Sequence, residues 1–207
     1  METSELTRTL IDNSAPEGYN MDEVLKACFK DESVTEVSIA TGFWDLHGTE
    51  LVYEELSEFL SREGSKFRLL IGKDPYLYAS DTESLTRSRY DKQEQAWRVE
   101  LDKFYAQEKY IKVVQMLVDN LKDNDNERFQ IHIYNPEGEK KNQFLHSKCY
   151  IFKGYNNKTQ RRVGYGIIGS SNFTQPGLTE NSELNILEIE PNNITTINDN
   201  TRDKTHL

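Results

Sequence analysis

Apolar and polar positions fall into readable periods along most of this 207-residue chain. Met21–Asp31 sets Val24, Leu25, Cys28 and Phe29 at helical spacing and predicts a short amphipathic helix. Val34–Thr41 (VTEVSIAT) reads as a strand that stops at Gly42-Phe43-Trp44. Gly48–Arg62 repeats Leu51, Val52, Leu56, Phe59 and Leu60 on one helical face, with Gly64 as its stop. Lys66–Ile71 (KFRLLI) is the next strand, ended by Gly72. Strand, helix and strand with a crossover of this length imply a parallel pair in a right-handed βαβ unit.

Further on, Lys73–Tyr90 is a long polar loop with Tyr76, Tyr78, Arg87, Arg89 and Tyr90 interleaved, and Glu94–Lys122 reads as one long helix or a broken pair. Asp123–Asn126 is a turn, Phe129–Tyr134 (FQIHIY) a strand, and Asn135–Lys141 another turn. Two strands follow, Gln143–Phe152 and Val163–Ile168, separated by the turn-prone Gly154-Tyr155-Asn156-Asn157, and Glu183–Glu190 is the last. Residues before about Asn20 read as a loop or loose arm. Pro191–Leu207, rich in Asn and Thr, reads as a polar tail or linker. The expected fold is therefore α/β, a mixed sheet flanked by helices, in a single domain spanning residues 1–190 with 191–207 outside it.

Charge changes the picture. The chain carries a net charge of -10, yet Lys140–Thr179 holds Lys140, Lys141, Lys148, Lys153, Lys158, Arg161 and Arg162 and no Asp or Glu, so the remainder sums to -17. A carboxylate-free stretch in an acidic protein suits a site that must hold an anion. The mean hydropathy of -0.76 points to a heavily charged surface. No apolar run approaches the ~20 residues of a membrane span, and the N-terminus lacks a secretory pattern, so no membrane partner and a cytoplasmic setting are expected. Two cysteines, Cys28 and Cys149, make neither a disulfide framework nor a zinc cluster, and Cys149 is expected to face the core.

The candidate chemistry lies inside the basic stretch. His146 and Lys148 stand two apart on a predicted strand, so both would leave one sheet face together. The next strand runs into Gly169-Ser170-Ser171-Asn172, a glycine for close approach followed by short polar arms. An imidazole, an ammonium, a hydroxyl and an amide converging at adjacent strand ends would suit a phosphate.

These residues resemble the phospholipase D superfamily, whose signature is HxK followed downstream by GSxN and a carboxylate. Here they are His146-Ser147-Lys148, Gly169-Ser170-Ser171-Asn172 and Glu183. The Asp that the family usually carries after its lysine is Lys153 here, a loss common in the nuclease branches. The resemblance implies a phospholipase D-like domain with His146, Lys148, Ser170, Asn172 and Glu183 as catalytic residues. Gly169, Ser171, Trp44, Arg161 and Arg162 are the expected substrate contacts. For Trp44 the competing reading is a core or rim position, and for His132 a structural histidine.

It also implies a phosphohistidine route needing two histidines. A chain with one HxK supplies the second by homodimerisation, with His47 and His132 as weaker internal substitutes. No metal and no cofactor are expected. The favoured function is a metal-independent endonuclease, with DNA favoured over RNA, of the kind found in restriction enzymes and in front of helicase or DNA-recognition domains. The alternative is a non-catalytic nucleic-acid-binding or dimerisation module. A lipid-cleaving role is disfavoured because no membrane-docking surface is evident.

Overall fold

The structure is a computed structural model, and it describes residues 9–14, 20–72, 108–122, 128–134 and 144–189. The polar loop Lys73–Tyr90, the first part of the helix expected from Glu94, the turns at Asp123–Asn126 and Asn135–Lys141, and the tail Pro191–Leu207 lie outside the described residues.

Seven strands form one mixed sheet in the order β1-β7-β6-β5-β2-β3-β4. They are β1 (Thr9–Asp12), β2 (Val34–Thr41), β3 (Lys66–Ile71), β4 (Phe129–Ile133), β5 (Lys148–Asn156), β6 (Arg161–Gly169) and β7 (Leu184–Glu188). β2, β3 and β4 run parallel, while β5, β6, β7 and β1 are joined antiparallel. The parallel pair β2–β3 is as the strand–helix–strand pattern implied. One consequence governs the site: the C-terminal ends of β2, β3, β4 and β6 and the N-terminal ends of β5 and β7 share one edge of the sheet. In α/β sheets that edge is where ligands gather.

Period-two alternation sorts the sheet into two faces. Val37, Ile39, Phe67, Leu69, Tyr150, Phe152, Tyr165, Ile167 and Leu187 point into the core. Helices α1 (Met21–Lys30) and α3 (Tyr53–Ser61) cover them, with the Phe29 ring 5.1 Å from Phe152 and 5.9 Å from Phe59. The other face carries Leu10, Cys149, Ile168 and Ile186 in one cross-strand row, with Leu184 nearby. Leu10, Ile168, Leu184 and Ile186 are exposed there. Cys149 therefore faces away from Tyr150 and the main core, half-buried, contrary to its expected inward direction. Burial raises its thiol pKa all the same.

Several boundaries differ from the sequence reading, each for a local reason. The helix expected at Gly48–Arg62 is two pieces, α2 (Leu46–Leu51), capped by the Asp45 carboxylate on Gly48 N, and α3. They part at Val52, whose φ of -113° and ψ of 15° leave the helical well while its side chain stays in the core. β5 begins at Lys148 rather than Gln143, because Thr41 of β2 is the last residue that pairs with it. It also runs two residues past the expected turn at Gly154, since Gly154 pairs with Val34 and Tyr155 N–H reaches Ser33 O at 2.8 Å. The hairpin turns instead over residues 157–160, with Gln160 at a φ of 55° and Asn156 Oδ1 accepting from Lys158 N and Thr159 N. β1 differs from the expected loop or arm: four residues, with Ile11 buried and Leu10 exposed, are too short a run to read as a period. Helix α4 (Glu108–Lys122), within the expected Glu94–Lys122, lies against α2 and β4.

Phe152 sits at the centre of this core, fully buried between α1 and the sheet. Phe152→Ala is expected to lower folding stability by about 3–5 kcal/mol. Urea unfolding would show this as a fall in midpoint with an unchanged slope, and a loss below ~1 kcal/mol would contradict the packing described.

Candidate active site

The site grows from the end of β2. Thr41 is the last strand residue on the core side, and its hydroxyl is fully enclosed. Thr41 Oγ1 donates to Phe43 O at 2.7 Å and accepts from Phe173 N at 3.0 Å, with Asn172 Oδ1 at 3.4 Å. Asn172 Oδ1 also accepts from Phe43 N at 3.1 Å. The carboxamide oxygen is thus committed to the β2 turn, and the amide NH2 is the end left for a ligand. Further along, Asp45 N donates to Phe173 O and Asp45 Oδ1 accepts from Gln175 N. The residues after β2 and those after β6 are laced side by side.

Gly42 lies beneath this lacing. A Cβ there would stand 3.3 Å from Asn172 Oδ1, 3.5 Å from His146 Cδ2 and 3.2 Å from Leu145 O. Both side chains therefore crowd the same glycine, so His146 and Asn172 are on one side of the sheet edge. His146 is exposed and lies just before β5, outside the ladder. Lys148 is the first residue of β5, directly opposite Thr41, and only 7% exposed. The expected shared strand face ends at Lys148, because His146 precedes the ladder. His146 stands at the mouth, while Lys148 lies on the core side, its Nζ donating to His146 O at 3.0 Å.

Electrostatics follow from that placement. Burial holds the Lys148 ammonium below the ordinary lysine value, and the nearby Glu183 carboxylate opposes part of the effect. Glu183, immediately before β7, is half-buried and accepts from Asn181 Nδ2 at 3.2 Å. His146, Lys148, Asn172 and Glu183 are thus brought to one edge by β5, the β6 end and the β7 start.

The other expected contacts fare differently. Ser170 Oγ accepts from Leu184 N at 3.0 Å and donates to Leu184 O at 3.4 Å, so its hydroxyl secures β7 while the residue stays exposed. Ser171 is fully buried: its N–H donates to Asn185 Oδ1 at 3.1 Å, its Oγ accepts from Asn185 Nδ2 at 2.8 Å and its carbonyl accepts from Tyr150 OH. It shapes the turn and is closed to solvent, unlike the surface contact expected of it. Gly169 pairs with Asn185 so closely that a Cβ would fall 2.3 Å from Asn185 Oδ1 and from Leu184 O. Trp44 is half-buried against the core, its Nε1–H donating to Thr49 Oγ1 at 2.9 Å, and it bridges to Phe173. Arg161 and Arg162 open β6, eight and seven residues from Gly169, roughly 23–26 Å away at the usual strand rise. The structure does not bring them to this edge. His47 packs edge-on to Tyr110, and exposed His132 lies on β4, with β3 between it and β2. Among the described residues no three His, Cys, Asp or Glu side chains form a metal-binding cluster.

Thr41 and Asn185, the two buried polar residues that hold the motif, were missed. At Thr41 the only signal is a hydroxyl at an inward position where the other inward residues of the strand, Val37 and Ile39, are apolar. At Asn185 the alternation misleads, because Leu184 and Ile186 point out while Asn185 and Leu187 point in.

This sheet and this cluster define a phospholipase D-like domain. The family model described as "Cardiolipin synthase, PLD-like domain" matches residues 30–201, and the chain belongs to that family. Among solved structures it is similar to NucT from Helicobacter pylori, at 12% identity and a TM-score of 0.51, covering 95% of this chain and 94% of that one. It is also similar to phosphatidylserine synthase from Haemophilus influenzae, at 11% identity and a TM-score of 0.51, covering 95% of this chain and 37% of that one. At these identities the likeness is one of fold. A comparison with curated protein sequences gives no match.

The lowered Lys148 pKa has a thermodynamic sign. The unfolded chain keeps this proton to higher pH than the folded one, so wild-type stability from this group rises between the depressed folded pKa and the ordinary 10.5. Lys148→Met is therefore expected to fold without loss of stability near neutral pH, while wild type gains on it towards pH 10. Paired urea titrations at the two pH values test this, and a wild type that gains nothing on Lys148→Met between them would contradict it.

Proposed function

We propose that this chain is a metal-independent phosphodiesterase that cleaves nucleic acid, with DNA favoured over RNA. The observation that carries the reading is one exposed imidazole, His146, held beside a buried ammonium, an oriented amide and a carboxylate. In the first step a His146 nitrogen attacks phosphorus: a P–N bond forms, the P–O bond to the leaving strand breaks, and that oxygen takes a proton from a second imidazole. In the second step that imidazole accepts a proton from water, the water oxygen bonds to phosphorus, and the P–N bond breaks. Dividing the displacement in this way replaces one high barrier by two lower ones. Lys148 and the Asn172 NH2 offset charge on the non-bridging oxygens, and Glu183 steadies a protonated imidazole through its ring N–H.

The second imidazole is the partner subunit's His146, which places the site on a two-fold interface. An open, solvent-facing His146 supports that reading, as does the membership of a phosphodiester-acting family. With a pI near 5.0 the chain offers no overall attraction to polyanions, and Arg161 and Arg162 stand at the other end of β6, so binding at this edge rests on Lys148 and the neutral donors beside it.

Plasmid or oligonucleotide incubated with the protein in EDTA should be cut, and His146→Ala should lower the rate at least ~1,000-fold while leaving the sedimentation coefficient unchanged. Binding without cleavage by wild type would instead identify a nucleic-acid-binding module. Acid-labile phosphate on histidine is expected in the quenched reaction. A purely monomeric species at active concentrations would remove the shared site.

A further inference from the structure

Phe144 lies outside the motif, two residues before His146 and beside its ring. Two aromatic residues stand among the exposed large apolar side chains of the described residues, Phe144 and Tyr155. Tyr155 is at the far end of β5, its hydroxyl bonded to Gln160. Phe144 is at the site edge, 44% exposed, with its ring centroid 5.6 Å from that of His146 and the planes crossed at 65°. Crossed planes leave one face of the benzyl ring clear of the imidazole in either sense of the contact. A water-facing aromatic ring at the mouth of an anion site offers a face on which a flat apolar ligand can stack.

We infer that Phe144 is a stacking platform for an unpaired nucleobase next to the phosphate held at His146. This rests on the nucleic-acid reading above and adds what the phosphate-binding groups cannot supply. His146, Lys148 and Asn172 would hold the phosphate of any diester, lipid or nucleic acid, whereas a stacking face selects diesters that carry a planar base. The imidazole bonds to phosphorus, and the ring beside it lies within the reach of the base on the same or the adjoining nucleotide. Stacking tolerates any base, so Phe144 gives preference for nucleic acid without preference for sequence.

The experiment compares a single-stranded DNA oligonucleotide with an oligomer of equal length made wholly of abasic tetrahydrofuran phosphodiesters, both in EDTA. The two substrates share phosphates and charge and differ in the bases. Wild type is expected to favour the base-bearing oligomer in kcat/KM by about 5- to 150-fold, the range one stacked base contributes. Phe144→Ala should lose that preference, chiefly through KM, and turn over the abasic oligomer at the wild-type rate. Phe144→Tyr should keep the preference, and Phe144→Leu, which retains apolar bulk without a π-face, should lose it. Equal slowing of both oligomers by Phe144→Ala would show that the ring only positions His146 and would overturn the inference. So would an unchanged preference in Phe144→Ala, or a wild type indifferent to the bases. A wild type that cleaves neither oligomer would strike at the nuclease reading itself, a separate outcome.

Discussion

The site depends on a short set of hydrogen bonds that joins two turns far apart in sequence. Thr41 Oγ1, Phe43 N, Phe173 N and Asp45 tie the residues after β2 to those after β6. Strand ends alone would leave two independent loops, free to move on their own. Here the backbone donors Phe43 N, Asp45 N, Phe173 N and Gln175 N each find an acceptor on the other turn, as buried polar groups require. The amide of Asn172 is aimed as a by-product: its oxygen is consumed by the lacing, so its NH2 faces outward. Asn185 does the equivalent work between β6 and β7, where Gly169 allows the two backbones to close.

His146 and Lys148 divide the labour through burial. The ammonium is pushed inward, where a weaker dielectric strengthens its effect on a nearby anion and at the same time makes its own charge costly. The imidazole stays in solvent. That contrast arises because the β5 ladder stops at Lys148: one residue is inside the sheet's geometry and the other is two residues outside it.

Much of this was legible from the chain. The bounds of β2 and β3 follow from their alternation, and the HxK, GSxN and following Glu183 identified the family that the 30–201 match establishes. Local pattern could not show which motif residues face a ligand. Ser170 and Ser171 are chemically similar neighbours, yet one is exposed and bonded to β7 and the other is wholly enclosed. Arg161 and Arg162 share the basic stretch with the site in sequence, but a nine-residue strand carries them to the opposite end of the sheet. Linear proximity and charge were poor guides there, because an extended strand converts a few residues into a large distance.

The edge strand β1 sets a limit on how this domain can be trimmed. Thr9–Asp12 satisfies the outer side of β7, and Asn13 continues the seam by donating to Glu183 O and Gly177 O and receiving Met21 N. A fragment cut at residue 30, where the family match begins, would lose this seam along with α1. β7 would then present bare amides and carbonyls, a template for strand exchange between molecules, directly beside the Glu183 carboxylate.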